Sequence, residues 1–243
     1  MKKIILLLIA TIWNNCIYAQ LNQENNKMLP EEIYTYGRVN WGIKAGLNYS
    51  NLHGGEINYI FSSNQTQYRI GFQAGIFANT NLTKHFGLKH ELWFTQKSIG
   101  VQLNDSKNEI YDSKFNSSYV DFMPFNFTVR FDGLHFFAGP YISTLINANL
   151  ERKDTNGNFF KDQEIFGTAK NDETKMLYLQ KFDFGAHFGL GYRFKKGMLI
   201  DVRYMHGFTD VFQFANSYTN ENPKTNNIKL YNRSWMISLG HEF

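Results

Sequence analysis

The sequence predicts an all-β protein, an eight-stranded antiparallel up-and-down transmembrane β-barrel. Three observations predict it: segments in which every second residue is apolar, connections that alternate between short and long, and an apolar face that carries no charge in its central band. In KFDFGAHFGLGYRF (residues 181–194), for example, aromatic and aliphatic residues alternate with Asp183, glycines, His187 and Arg193. Because successive side chains of a strand point to opposite faces, such a segment has one apolar and one polar face.

The amino terminus is predicted to be a secretory signal peptide. A basic start precedes an apolar run at residues 4–12, and Ala19 marks a plausible cleavage site. Cys16, the only cysteine, leaves with this segment, which excludes disulfides and thiol chemistry in the mature chain. We therefore expect a signal peptide (1–19), a periplasmic lead-in (20–38) and an outer-membrane β-barrel domain (39–243).

Composition argues against nucleic-acid binding and accommodates a membrane barrel. Removal of Lys2 and Lys3 with the signal peptide lowers the net charge from +4 to +2, and no basic run remains. The mean hydropathy of −0.40 resembles that of a soluble protein. Barrel strands give similar values because their lipid-facing residues alternate with polar ones. Aromatic residues make up 17% of the chain, which a lipid-facing surface explains.

Eight alternating segments follow the lead-in. In each, apolar residues occupy one face and glycine, polar or charged residues the other. In chain order, with their apolar faces, they are 39–50 (W, I, A, L, Y), 67–79 (Y, I, F, A, I, A), 85–97 (F, L, L, F), 119–131 (M, F, F, V), 134–148, 181–194 (F, F, A, F, L, Y, F), 198–209 (I, V, Y, F) and 230–243 (W, I, L, F). Pro140 interrupts the fifth segment, because proline cannot donate to a strand ladder.

The connections alternate in length. Short turns follow the second, fourth and sixth segments, at residues 80–84, 132–133 and 195–197. Long polar loops are expected after the first, third, fifth and seventh, at residues 51–66, 98–118, 149–178 and 210–229. Short turns at one end and long loops at the other are typical of outer-membrane barrels, so we expect four extracellular loops.

Charge decides which face points outward. A soluble core could not hold ten charges, because each unpaired buried ion costs several kcal/mol, whereas a polar barrel interior can pair them. We therefore predict a lumen charge network and an apolar outer face. The predicted network consists of Lys44, Arg69, Lys89, Glu91, Arg130, Asp183, Arg193, Asp201, Arg203 and Glu242.

Aromatic residues gather towards both ends of the segments, as in the interfacial girdles of membrane proteins. The predicted lipid-facing girdle residues are Trp41, Tyr49, Phe131, Phe182, Tyr192, Phe194, Trp235 and Phe243. His90 and His206 interrupt the apolar face, and a bulge could turn His90 inward.

Inward glycines are expected beside long charged neighbours. A hairpin about residues 195–197 would place Asp201 opposite Gly191 and Arg203 opposite Gly189. The absent side chain would leave room for the charged one, or the glycine would merely permit curvature; the sequence leaves both readings open.

We predict no catalytic, cofactor-binding or metal site. Counted from Asp154, EF-hand positions six and twelve hold Phe159 and Ile165 instead of Gly and Glu, so Asn156-Gly157 is better interpreted as a tight turn. The histidines show no metal-site spacing.

Several segments resemble the Bacteroidota outer-membrane β-barrel family often labelled PorT-like, or the porin family. They are WGIKAGLNYSNL (41–52), LKHELWFTQKSIG (88–100), YVDFMPFNFTVRF (119–131), FFAGPYIS (136–143), FDFGAHFGLGYRF (182–194) and IDVRYMHGF (200–208). The resemblance covers most of the mature chain and implies a barrel, without implying a particular reaction. One branch of the family assists type IX secretion and gliding. Eight strands enclose only enough space for side chains, so we expect a plugged lumen.

The predicted function is a non-enzymatic outer-membrane barrel with a structural, adhesive or partner-binding role in the cell envelope. The alternatives are an accessory of type IX secretion, a narrow channel and a lipid A-modifying enzyme, the last with His206, Thr209 and Asp210 at its outer rim. Expected partners are outer-membrane lipid and envelope or secretion-system proteins. Candidate contact residues in the loops are Tyr59, Phe61, Phe159, Phe160, Phe166 and Tyr218.

Cleavage of the signal peptide is directly testable. Amino-terminal sequencing of the protein purified from outer membranes should begin at Gln20. A chain that retains Met1, or a lipid attached to Cys16, would contradict the assignment.

Overall fold

The computed structural model describes residues 39–54, 57, 61–62, 66–105, 107–162, 179–212 and 229–243. The predicted signal peptide (1–19) and lead-in (20–38) lie outside these residues. No helix in the described part of the chain is long and apolar enough to cross a membrane.

Nine antiparallel strands occupy the described residues. They are β1 (Val39–His53), β2 (Gln67–Asn81), β3 (Phe86–Asn104), β4 (Ile110–Phe131), β5 (Leu134–Lys153), β6 (Phe159–Asp162), β7 (Phe182–Arg193), β8 (Met198–Gly207) and β9 (Tyr231–Glu242). Neighbours in the chain pair with each other except β6 and β7, while β5 also pairs with β7 and β1 pairs with β9. This closes a ring of eight strands, while the short β6 pairs with the upper end of β5. The predicted eight-stranded up-and-down barrel is confirmed.

The three short turns lie where they were predicted. Asp132 and Gly133 have φ angles of 46° and 88°, and Lys196 and Gly197 have φ angles of 68° and 80°. Residues with positive φ allow a hairpin turn to match the twist of its strands. The β7–β8 register pairs Gly191 with Asp201 and Gly189 with Arg203, as predicted.

Exposure follows the predicted orientation. On β7, Phe188 is 56% exposed, whereas on β8 Asp201 is only 2% exposed. The outer face of the barrel therefore carries a band of apolar side chains, and the charged side chains of the same strand segments point into the lumen.

The predicted long polar loop at residues 98–118 is wrong. β3 and β4 continue through this region as a hairpin that turns at Asp105. Alternation persists there, but the polarity of the two faces is reversed: Ile99 and Phe115 are fully buried, while Asn116 lies on the outer face. Because no outward apolar face continues through this region, the sequence predicts a loop. The segment is a strand because its apolar residues point inward and pack inside the barrel.

The described part of the expected 149–178 loop is also β-structure. β5 extends to Lys153 and pairs with β6 across a turn that begins at Asp154. The carboxylate of Asp154 accepts hydrogen bonds from the backbone N–H groups of Asn156 and Asn158, at 2.9 and 2.8 Å, and Gly157 has a φ of 85°. The tight turn predicted at Asn156-Gly157 is confirmed.

Asp105 forms a similar turn at the tip of the β3–β4 hairpin. Its carboxylate accepts backbone hydrogen bonds from Lys107 and Glu109, at 2.8 Å each. The bond from Glu109 holds the pKa of Asp105 below its ordinary value, and the bond from Asn158 does the same to the pKa of Asp154. In its charged form each carboxylate stabilises the turn that it caps. This stabilisation is lost as the pH falls through the lowered pKa, because the protonated carboxyl no longer accepts these hydrogen bonds as strongly.

Two irregularities change the predicted facing of the fourth segment. The β3–β4 register shifts between Lys89 and Glu91, and the β4–β5 register shifts between Phe122 and Phe127. Met123 was expected on the outer face but is fully buried, because the irregular stretch that follows it reverses the alternation. Bulges of this kind re-aim side chains without ending the strand.

His90 and Pro140 are accommodated at the same irregularities. His90 is half-buried and its Nδ1 hydrogen-bonds to the carbonyl oxygen of Pro124, so the bulge does not carry it into the lumen. Pro140 faces the gap in the β4–β5 register, where its missing N–H leaves no ladder bond broken.

A lysine placed on the outer face should test the reversal of polarity along β4. Phe127 lies in the apolar band and is 65% exposed, whereas Asn116 lies above it on the same strand. Phe127→Lys should lower the free energy of unfolding by about 2 kcal/mol or more. Asn116→Lys should change it by less than about 0.5 kcal/mol. Urea unfolding in lipid vesicles measures both, and equal effects would contradict the assigned band.

Candidate functional site

The centre of the lumen holds five charged side chains from three strands. Lys44 on β1 lies 3.0 Å from Glu91 on β3 and also pairs with Asp201 on β8. Glu91 in turn pairs with Arg203 on β8, and Lys89 Nζ lies 3.9 Å from Asp201 Oδ2. All five are at most 3% exposed, and each projects inward because its neighbours in the strand project into the lipid-facing band.

Two histidines and an asparagine extend this network around the barrel. His135 Nε2 on β5 lies 2.7 Å from Asp201 Oδ1. Asn126 on β4 donates to Glu91 at 2.9 Å and accepts from His187 Nε2 on β7 at 2.7 Å. Because the side-chain nitrogen of Asn126 faces Glu91, its oxygen faces His187. The connected groups therefore link six strands of the wall.

Aromatic rings compensate for an excess of positive charge at the centre. Among the five charged groups, three are cations and two are carboxylates. Lys89 and Arg203 lie over the ring of Phe137, at 4.8 and 4.9 Å from its centroid, and Lys44 lies 4.7 Å from the centroid of Phe77. Such cation–π contacts are strengthened where water is excluded.

A second cluster lies at the short-turn end. Glu242, near the carboxyl terminus, accepts hydrogen bonds from Asn40 at 2.9 Å and Asn79 at 2.6 Å, and pairs with Arg193 at 2.8 Å. One carboxylate thus joins β1, β2, β7 and β9.

A third cluster lies above the centre. Asp183 accepts hydrogen bonds from the hydroxyl of Tyr141 at 3.2 Å and from Asn232 at 3.0 Å. Asp121 accepts one from Thr95 at 2.7 Å. Asp121 is absent from the predicted network because the irregularity after Met123 reverses the alternation, so a regular period of two would place Asp121 on the outer face.

Lys97 was also missed. It is 1% exposed, and its Nζ lies 4.6 Å from the ring centroid of Tyr119. Continuing the alternation Lys89, Glu91, Thr95 by one more step would have found it. His135 lies in the segment interrupted by Pro140, and His187 was on the correct face but was not counted as a charge.

The predicted lumen residues are placed as follows. Eight are buried inside the barrel: Lys44, Lys89, Glu91, Arg130, Asp183, Asp201, Arg203 and Glu242. Arg193 is half-buried and pairs with Glu242. Arg69 is half-buried beside Gly100, and the structure does not bring it into the connected network. The predicted girdle residues are all exposed: Trp41, Tyr49, Phe131, Phe182, Tyr192, Phe194, Trp235 and Phe243.

The two β7 glycines that lie opposite Asp201 and Arg203 differ. A Cβ on Gly191 would collide with Asp201 and would lie 2.5 Å from His135 Nε2, so this glycine makes room for the charged network. A Cβ on Gly189 would meet the ring of Phe137 at 2.5 Å, so the space beside Gly189 is filled by an aromatic ring and not by Arg203.

An apolar cluster, here called the cap, covers the upper end of the lumen. It combines inward residues of the strand extensions with residues from the connections above them. Its buried members are Leu52, Ile57, Phe61, Ile99, Val101, Phe115, Tyr119, Leu145, Ala148, Leu150, Leu179, Val211, Phe212 and Leu230. Phe212 contacts both Phe61 and Phe115, with ring centroids 6.3 Å apart in each case.

The prediction that Phe61 is a surface contact residue is therefore wrong. It is 3% exposed because it fills the mouth of the barrel. Phe159 and Phe160 are exposed, whereas Tyr59, Phe166 and Tyr218 lie outside the described residues.

Thr209 and His206, two of the rim residues of the lipid A alternative, have other hydrogen-bonding partners. The hydroxyl of Thr209 accepts a hydrogen bond from the Phe184 N–H at 3.0 Å, while His206 Nδ1 lies 3.4 Å from the Tyr204 hydroxyl. Across the described ranges, no three His, Cys, Asp or Glu side chains are grouped to hold a metal ion.

Removing one carboxylate from the central network should be strongly destabilising. Glu91→Gln leaves Arg203 and Lys44 without their shared partner and should cost about 3 kcal/mol, because an uncompensated buried charge remains. The matched control is Glu151→Gln, which breaks the exposed pair between Glu151 and Lys114 (3.6 Å) and should cost less than about 1 kcal/mol. Unfolding in detergent by urea, followed by tryptophan fluorescence, compares them. Equal costs would mean that the central pairs do not hold the barrel together.

Comparison with solved structures finds similar small barrels. Ail of Yersinia pestis, solved with the heparin analogue sucrose octasulfate, is 12% identical, with a TM-score of 0.46, over 85% of this chain and 99% of Ail. Neisserial surface protein A is 11% identical, with a TM-score of 0.44, over 84% and 97% of the two chains. OprG of Pseudomonas aeruginosa is 10% identical, with a TM-score of 0.41, over 86% and 97%. A search of curated proteins finds no match.

A protein-family model gives the family directly. The model described as "Outer membrane protein beta-barrel domain" matches residues 18–213. This match covers well over half of the 243 residues. The chain therefore belongs to the outer membrane protein β-barrel domain family and is a protein of the bacterial outer membrane.

Proposed function

We propose that this protein is a non-enzymatic barrel that presents a rigid extracellular β-platform to other components of the cell envelope. The platform is formed by the upper parts of β3, β4 and β5 together with β6. The observation that carries the proposal is the reversal of polarity along these strands. Above the lipid-facing band their outer face is mostly polar, with exceptions such as Ile110 and Ile146, and their inner face builds the apolar cap.

A packed core beneath a display surface favours binding. The outer face of the platform carries polar groups such as Lys114 and Glu151, which pair at 3.6 Å. Beneath it, Phe115 and Leu150 are buried in the cap. A surface supported by packed side chains keeps its shape, which lowers the entropic cost of binding.

The contact candidates on this platform are the aromatic residues of β6. Phe159 and Phe160 are 54% and 45% exposed. Phe159 packs edge-on against Tyr111, with ring centroids 6.2 Å apart, and Lys153 Nζ lies 5.3 Å from its ring centroid. Exposed aromatic residues are enriched in protein interfaces. Tyr59, Phe166 and Tyr218 remain further candidates in the loops.

The filled lumen argues against the channel alternative. Charged groups at the centre are bound to one another, and the cap covers them from above. The hydroxyl of Thr209 accepts a hydrogen bond from the Phe184 N–H and His206 Nδ1 lies near the Tyr204 hydroxyl, so these contacts give no support to a lipid A-modifying enzyme.

Within the family, we propose that the chain lies in the PorT-like branch found in Bacteroidota. The support is the similarity of the strand segments, such as WGIKAGLNYSNL (41–52). A tree of complete barrel-domain sequences should group the chain with PorT-like members. A role in type IX secretion belongs to one named branch of that family. Deleting the gene and measuring the export of cargo proteins would show whether this chain has that role.

The platform hypothesis predicts that partner contact depends on β6. Phe159→Ser with Phe160→Ser should reduce the yield of partners cross-linked to the barrel in intact cells by at least about fivefold, since interface aromatics commonly contribute more than 1 kcal/mol each. Leu82→Ser is the matched control, because Leu82 is 56% exposed in a turn at the opposite end of the barrel. Quantitative mass spectrometry of the cross-linked products measures the yields.

Three outcomes would contradict the proposal. Equal cross-linking of the β6 variant and the Leu82 control would remove β6 as the contact. Stepwise conductance of the wild-type barrel in a planar bilayer would favour a channel. A change in lipid A mass upon deletion of the gene would favour an enzyme.

A further inference from the structure

A row of basic side chains lies on the outer face at the upper end of β8, β9 and β1. His206 on β8 is directly opposite Arg233 on β9 in the strand register, and Arg233 is opposite Asn51 on β1. The ring of His53, two residues further along β1, lies 6.3 Å from the ring of His206. These side chains project outward, since the alternating Met205 and Ser234 are buried in the lumen.

An aromatic shelf lies one step nearer the membrane centre on the same strands. Tyr204 is opposite Trp235, with ring centroids 4.9 Å apart, and Trp235 is opposite Tyr49. Tyr49 stacks on Tyr68 of β2 at 4.7 Å. Tyrosine and tryptophan belts mark the headgroup level of a bilayer. The basic row just above this shelf is therefore at the depth of lipid phosphates.

Arg233 has hydrogen-bonding capacity that the described residues do not use. Its guanidinium carbon lies 5.5 Å from the ring centroid of Tyr68, while its Nε is buried without a hydrogen-bond partner. It makes no salt bridge within the described part of the chain. Arg69, which adjoins Tyr68, is in the same situation at its Nε. A guanidinium held over an aromatic ring with free donors suits bidentate binding of a phosphate.

Across the barrel, at the same height just above the apolar band, the outer faces of β3, β4 and β5 carry the neutral residues Gln96, Ser98, Ser118 and Thr144. The outward cation Lys114 lies further along β4 and is paired with Glu151. General attraction to an anionic membrane would not require such a local arrangement. A cluster on adjacent strands fits one bound headgroup.

We propose that His53, His206 and Arg233 bind the phosphate of a phosphorylated lipid in the outer leaflet. Its acyl chains would lie against the shelf formed by Tyr204, Trp235 and Tyr49. This site is separate from the platform and does not depend on the function proposed for it.

The test is lipid binding by the full-length barrel, measured by native mass spectrometry from detergent micelles. Wild-type protein should retain monophosphoryl lipid A at least about fivefold more strongly than the same lipid after dephosphorylation, since each basic group near a membrane surface contributes about fivefold. Arg233→Gln should reduce this preference by about fivefold, and Arg233→Lys should restore part of it. Lys161→Gln removes an equal charge from exposed β6 and should have no effect.

Each possible result decides the proposal. Unchanged retention by Arg233→Gln, or equal retention of the two lipids, would overturn it. Displacement of the lipid by an equimolar amount of inorganic phosphate would also overturn it, because the site would then bind a free anion. If Arg233→Gln does not fold, wild-type binding at 50 and 500 mM NaCl decides, because an exposed charge contact must weaken as salt rises.

Discussion

A strand in a lipid bilayer must find a partner for every backbone N–H and C=O group, and the closure of β9 onto β1 is what provides it here. The two strands pair from Gly42 with Glu242 to His53 with Tyr231. Closure also determines the interior, because an eight-stranded ring is just wide enough for side chains to fill. The inward polar residues must then bond to one another, and the network around Glu91 and Asp201 does this for six of the eight strands.

Strand alternation was enough to predict the ring, its three short turns and the pairing of Gly191 with Asp201. It was not enough where geometry departs from a period of two. The irregularity between Phe122 and Phe127 moved Met123 inward, and no local signal distinguishes it from a regular strand. Contacts across the lumen, such as that between Lys44 and Asp201, depend on strands far apart in the chain, so the sequence predicts the group of charges but not its partners.

The error at residues 98–118 has a different origin. In a membrane strand, the apolar residues face out, and above the bilayer water reverses that preference. β3 passes from the lipid bilayer into the aqueous region near Thr95. Phe94 therefore faces lipid, while Ile99 packs in the cap. A period of two is present throughout, but a search for one continuous apolar face stops at the crossing point. The extended strands β3 to β5 therefore have the character of a membrane protein below and of a water-soluble sheet above.

Glu242 adds a consequence for how the barrel is built. It lies on β9, which follows the other strands of the ring in the chain, yet it bonds to Asn40 and Asn79, which belong to the first two strands. Lys44 likewise finds Asp201 only once late strands arrive. An open, partly inserted sheet would hold early cations without their counterions, at a cost of several kcal/mol for each one removed from water. Assembly should therefore be cooperative, with insertion and circular closure completed as one event and few stable intermediates between them.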